Sequence, residues 1–124
     1  MVWDFHARLG RLERADEPIR VGVLGAGRFG TLALIQLHRM TGVRIAVVAD
    51  LQTDRALAAL ERAGVDRSQV VVTDEEGAAV DAIGQGRVVA TGGGSLISGP
   101  GVDVVLEATG SVAETEDGIR NCLD

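Results

Sequence analysis

The run Gly25-Ala26-Gly27-Arg28-Phe29-Gly30 places three glycines where chemistry on a phosphate would need them. A short apolar run, Ile19 to Leu24, precedes it, and a segment of helical composition follows. At such a strand-to-helix junction each glycine has a mechanical task. Gly25 permits a tight turn out of the strand. Gly27, lacking a Cβ, lets a pyrophosphate approach the backbone. Gly30 lets the helix lie close to the strand. Arg28 and Phe29 sit at the start of that helix, whose free N–H groups and partial positive charge suit an anion. An acid, Asp50, follows Gly30 by about 20 residues, the spacing at which a carboxylate meets the ribose hydroxyls of a bound dinucleotide. Leu51 follows it directly. A glycine turn that binds nothing is the bland alternative, and the βαβ setting argues against it.

The elements that must position these residues are legible in outline. Trp3 to Asp16 reads as an amphipathic helix with Asp4 as N-cap and Phe5, Leu9 and Leu12 on one face. Ile19–Leu24 and Arg44–Ala49 read as strands, the second nearly continuous in apolar residues, as a strand buried on both faces should be. Between them a helix is expected over Arg28–Thr41, with Phe29, Leu32, Ala33, Leu37 and Met40 sharing one face and Gly42 as its stop. Asp54–Ala63 reads as a helix ended by Gly64, and Val70–Val72 as a short strand. Thr73 is expected to cap a helix from Asp74 to about Gly84, with Glu76 completing a capping box. Arg87–Ala90 is a further strand candidate, and Ser95–Ile97 one helical turn. Val102–Leu106 is expected as a second buried strand, and a last helix is expected from Ser111 or Thr115 to Asp124. Alternating strands and helices imply an α/β fold: a Rossmann-like, doubly wound parallel sheet of three layers, α/β/α, preceded by a short N-terminal helix. Residues 1–17 hold that helix and residues 18–124 the dinucleotide-binding domain. The expected strand order is 3-2-1-4, with Ile19–Leu24 between Arg44–Ala49 and Val102–Leu106.

Across the switch point, Val102–Leu106 leads into Glu107-Ala108-Thr109-Gly110. Ala108, Thr109 and Gly110 would lie beside a dinucleotide there; a plain turn before the next helix is the equal alternative. Glu107 is either a polar contact or, the preferred reading, a strand-end acid facing solvent. The acids Asp74 to Glu76 read as a helix-start charge run. Ser95 lacks the frame of a nucleophile elbow.

Composition narrows the function classes. The chain has 124 residues, enough for one core. All 12 basic residues are arginine, so there is no Walker-type, Schiff-base or general-base lysine. The net charge of −6 with no arginine stripe argues against nucleic acid. The aromatics are Trp3, Phe5 and Phe29 alone. Cys122 is the single cysteine and His6 and His38 the only histidines, so no disulfide framework or metal site is expected. No apolar run approaches a membrane span, and a cytoplasmic location is expected.

The opening helix, the run Pro18-Ile19-Arg20-Val21-Gly22-Val23-Leu24 with its glycine turn, and Val47-Val48-Ala49-Asp50-Leu51 resemble the N-terminus of the homoserine dehydrogenase-like NAD(P)-dependent oxidoreductases. The branch most similar often carries a C-terminal SAF domain in its longer members. Val102 to Gly110 is similar to that family's next strand and its acid-Ala-Thr-Gly turn. The resemblance implies a dehydrogenase or reductoisomerase whose further strands and substrate domain, with the catalytic residues, lie beyond this chain. It implies a small-molecule substrate and a homo-oligomer, and no catalytic residue within these 124. Asp50 favours NAD, because a carboxylate repels a 2′-phosphate; the resemblance includes NADPH users and favours NADP. Arg28 or Arg55 could pair with a 2′-phosphate. The alternative is a nucleotide-sensing domain of a channel or transporter, which uses a similar glycine turn and strand-end acid.

Overall fold

The computed structural model describes residues 2–109 of the chain. In chain order the elements are α1 (Val2–Arg14), β1 (Ile19–Leu24), α2 (Arg28–Arg39), β2 (Val43–Ala49), α3 (Thr53–Ala63), β3 (Val70–Val72), α4 (Glu76–Gly84), β4 (Val88–Thr91) and β5 (Val104–Glu107). Short 3₁₀ turns occur at Arg67–Gln69 and Gly94–Leu96. The strands form one sheet in the order β3-β4-β2-β1-β5, and every ladder is parallel. The fold is α/β and Rossmann-like, with β1 between β2 and β5 as the sequence implies. The order 3-2-1-4 needs one correction. From α3 the chain runs to the outermost place, β3, and returns through α4 to fill the gap beside β2 with β4.

The two faces of the sheet are packed by different helices. Val21, Val23, Val43, Ile45, Val48, Val88 and Ala90 meet Leu34 of α2, Ala56, Ala59 and Leu60 of α3, and Leu9 of α1. Leu24, Ala46, Val47, Ala49 and Val89 meet Ala79, Ala82 and Ile83 of α4 together with Leu96 and Ile97. Strict alternation fails in β2 because Ala46 is an extra residue. Val21 pairs with Ile45, but Gly22 pairs with Val47. The bulge turns both Ala46 and Val47 toward α4 and restores alternation at Val48. Leu34, Leu60 and Ile97 are almost wholly buried, and each contributes about 1.5–3 kcal/mol by its removal from water.

Four sequence expectations are corrected. Helix α1 starts at Val2, so Asp4 lies inside it rather than at its cap. On α2 the buried residues are Gly30 and Leu34, whereas Phe29 and Leu32 are 78 % and 55 % exposed. The stripe on the sheet is therefore Gly30-Leu34-Leu37, with Leu37 partly buried against the core. Helix α4 starts at Glu76, two residues later than expected, and has no side-chain cap. The Thr73 hydroxyl instead accepts the Glu75 N–H in a local turn. Finally, β5 is not buried: Val104 is 50 % exposed, because β5 is the edge strand among the described residues. The expected helix after Gly110 lies outside the described residues. None of the helices among the described residues is long and apolar enough to cross a membrane.

Candidate functional site

Parallel strands send all their carboxyl ends to one edge of the sheet. Across that edge, in spatial order, stand Asp74 after β3, Thr91 ending β4, Asp50 after β2, Gly25 after β1 and Glu107–Thr109 at the end of β5.

The glycine turn is held by backbone geometry. Gly25 adopts φ +98°, a left-handed conformation that disfavours side chains. Its N–H donates to the Ala49 carbonyl at 2.7 Å, and the Ala108 N–H donates to the Leu24 carbonyl at 2.8 Å. The turn is thereby tied to both neighbouring strands. A Cβ at Gly25 would lie 2.8 Å from the backbone of Thr109. A Cβ at Gly30 would collide with the Gly25 carbonyl oxygen and approach the Ala108 methyl at 3.8 Å. Gly30 thus lets the first turn of α2 rest on the strand exit, as expected. Gly27 is the N-cap of α2, in extended conformation, with no side-chain cap and no acid in the helix's first turn. The first backbone bond of the helix runs from the Thr31 N–H to the Gly27 carbonyl at 2.9 Å. The preceding N–H groups carry the helix's positive end toward the sheet edge. Space at Gly27 borders the Arg55 guanidinium, whose Nη2 would be 3.0 Å from a Cβ there.

Asp50 is built into the turn. One carboxylate oxygen, Oδ2, accepts the Ala26 N–H at 2.9 Å, and Oδ1 accepts the Gln52 N–H at 2.8 Å. The side chain is 9 % exposed, and Arg55 Nε stands 4.0 Å from Oδ2. Each oxygen keeps a lone pair beyond these bonds. Asp50 therefore braces the glycine turn as well as offering acceptors at its edge.

On the other side of β1, Glu107 departs from the preferred reading. It does not face solvent. Its Oε1 accepts both the N–H of Thr109, at 2.6 Å, and the Thr109 hydroxyl. Its Oε2 is buried and has no hydrogen-bond partner among the described residues. Beyond β2, the Thr91 hydroxyl, itself buried, and the Gly92 N–H both donate to Asp74 Oδ1. These bonds, the Thr91 hydroxyl first, hold the Asp74 carboxyl below the usual carboxylate range. Asp74 ties the loop after β4 to that after β3.

Of the residues expected in the site, Gly25, Ala26, Gly27, Gly30, Asp50, Ala108 and Thr109 come together. Arg28, Phe29 and Leu51 are exposed beside them, Leu51 to 76 %. Gly110 lies outside the described residues. Two participants were absent from the expected set, Glu107 as an inward acid and the Asp74–Thr91 pair; Arg55, expected only as a partner for a 2′-phosphate, also stands beside Asp50 and Gly27. Arg55 had a signal, since it follows Asp50 by little more than one helical turn. The Asp74–Thr91 contact had none, because it depends on β4 sitting inside β3. No model of a known protein family matches the chain, and no curated protein matches it.

Proposed function

We propose that this chain binds a dinucleotide, NAD or NADP, as the cofactor-holding part of an oxidoreductase resembling homoserine dehydrogenase. The observation that carries the reading is the interlock of Gly25, Gly30 and Asp50. The glycines are required where they stand, by φ and by backbone contact, and they aim an uncapped helix start at the carboxyl edge of the sheet. This is the geometry that takes a pyrophosphate. The N–H groups of Gly27 to Phe29 would hold the phosphates, with Arg55 adding a positive charge beside them. The outer lone pairs of Asp50 would accept from the adenosine ribose. Ala108 and Thr109, against the Gly25 turn, would flank the nicotinamide half. When bound, the dinucleotide supplies hydride transfer, and these residues fix where its reactive ring is held. Arg55 and Asp50 oppose each other in the choice of cofactor: the cation favours a 2′-phosphate and the carboxylate a free 2′-hydroxyl.

Calorimetric titration of the 124-residue chain with NAD, NADH, NADP and NADPH tests the reading. Binding of at least one with a 1:1 stoichiometry is expected. A folded sample that takes none of the four rules the reading out.

A further inference from the structure

The opposite edge of the sheet carries a second constellation that the dinucleotide reading does not use. Arg20 and Arg44 are register partners on the adjacent strands β1 and β2, and Arg87 directly precedes β4 on the other side of β2. All three lie on the α4 face, because Val21, Val43 and Val88, their next neighbours in sequence, face α2 and α3. The three side chains therefore spring from one face of three neighbouring strands, whose backbones lie roughly 5 Å apart. They line an open pocket of about 280 Å³ bordered by Asp16, Gln85 and the carboxyl end of α4.

Like charges on neighbouring strands repel, and the protein relieves this repulsion only in part. Glu13 neutralises Arg44 through both of its oxygens, at 2.6 and 3.0 Å. Asp103 is spent on the Arg20 backbone N–H, at 2.8 Å, and Asp16 is the remaining carboxylate on the cavity wall. No hydrogen bond or ion pair ends on the guanidinium of Arg20 or Arg87 among the described residues. Two rigid donor forks thus face a polar cavity with no acceptor of their own, and that is the arrangement that takes a tetrahedral oxyanion bidentately.

We infer that the amino edge of the sheet binds a phosphate dianion, free or as the monoester of a small molecule, between Arg20 and Arg87. The site is separate from the glycine turn and does not depend on its role.

Amide NMR of the ¹⁵N-labelled chain, titrated with inorganic phosphate at constant ionic strength, separates the two ends. Saturable shifts at Arg20, Gln85, Gly86 and Arg87 are expected. A parallel titration with glycerol phosphate distinguishes the free ion from a monoester by which saturates first. In the Arg20→Gln/Arg87→Gln variant the dissociation constant at these amides rises by about tenfold for each guanidinium removed. Shifts confined to the Gly25–Gly30 amides, or an unchanged constant in the double variant, overturn the inference. Arg87→Lys, which keeps the charge and loses the fork, serves as the conservative control. An affinity equal to that of Arg87→Gln shows that the fork is required. Full retention shows general charge attraction only and overturns the bidentate site.

Discussion

The two ends of the sheet are built by different means. At the carboxyl end the working parts are backbone: a left-handed glycine, a helix start pressed on a carbonyl, and short acids accepting N–H groups. At the amino end they are long arginine side chains reaching from neighbouring strands toward Glu13 and a cavity. Backbone contacts cannot shift to absorb an added atom, whereas a guanidinium on a flexible stem can. Substitutions should therefore be severe and local at the first end, and mild and dependent on ionic conditions at the second.

The sharpest break would come from Gly30→Ala. The new methyl meets the Gly25 carbonyl, so α2 must lift from the strand exit. A destabilisation of roughly 4 kcal/mol is expected in urea unfolding, beyond the ordinary range of about 1–3 kcal/mol for overpacking because the methyl meets backbone rather than a side chain that could turn aside. Dinucleotide binding should be lost with it. A stable variant of unchanged affinity would show that the turn is more compliant than its contacts indicate.

Next in size is Leu34→Ala, at about 3 kcal/mol for a wholly buried leucine, against Phe29→Ser, with no measurable change at an exposed site. The pair also shows what the sequence could and could not disclose. The unit from β1 through the glycine turn to Asp50 was legible because every constraint in it is local: strand, turn, helix and acid lie within one βαβ unit. The buried face of α2 was not, because Phe29, Leu32, Leu34, Ile35, Leu37 and Met40 are apolar on more than one side of the helix. The deciding residue is Gly30. Its missing side chain marks the closest approach to the sheet, so the stripe through it, Gly30-Leu34-Leu37, is the one that packs. The place of β3 outside β4 was not legible either, since three valines carry no record of which strand they pair with. Neither was the exposure of β5, whose apolar run reads as interior but occupies an edge.

Asp50 gives a smaller and more discriminating effect. If it served the ribose alone, Asp50→Ala would weaken NAD and spare NADP. The structure gives it a second task, as acceptor for the buried Ala26 N–H. Leaving that donor unsatisfied costs about 1–3 kcal/mol and loosens the turn that both cofactors need. Both affinities are expected to fall, NAD further than NADP. Asp50→Asn retains one acceptor oxygen and should recover part of the loss for both. Unchanged NADP affinity in Asp50→Ala would restore the purely ribose-directed role.

The smallest effect belongs to the amino end. Glu13 accepts from the Arg44 guanidinium and from the Gly42 N–H, and these bonds, the arginine first, lower its carboxyl below the ordinary value. The partner Arg44 is correspondingly raised, chiefly by its hydrogen bond to Glu13. A carboxyl whose folded pKa lies below its unfolded one stabilises the fold at any pH above the unfolded value, about 4.3 for glutamate. That contribution fades as the pH falls from there through the folded pKa. Glu13→Gln should therefore lower the urea midpoint slightly at neutral pH and converge on the parent at acid pH. The pair is solvent-accessible, so its strength is modest and screened by salt. Removing Glu13 also takes from Arg44 its bonded carboxylate and leaves only Asp16 to offset it beside Arg20 and Arg87, which adds repulsion among the arginines. The neutral-pH deficit should shrink as sodium chloride is raised, and shrink at lower concentrations when the added anion is phosphate. A deficit that persists at acid pH, or that ignores salt, would mean that Glu13 acts mainly as the cap of the Gly42 N–H, and the amino end would then be governed by backbone contacts like the carboxyl end.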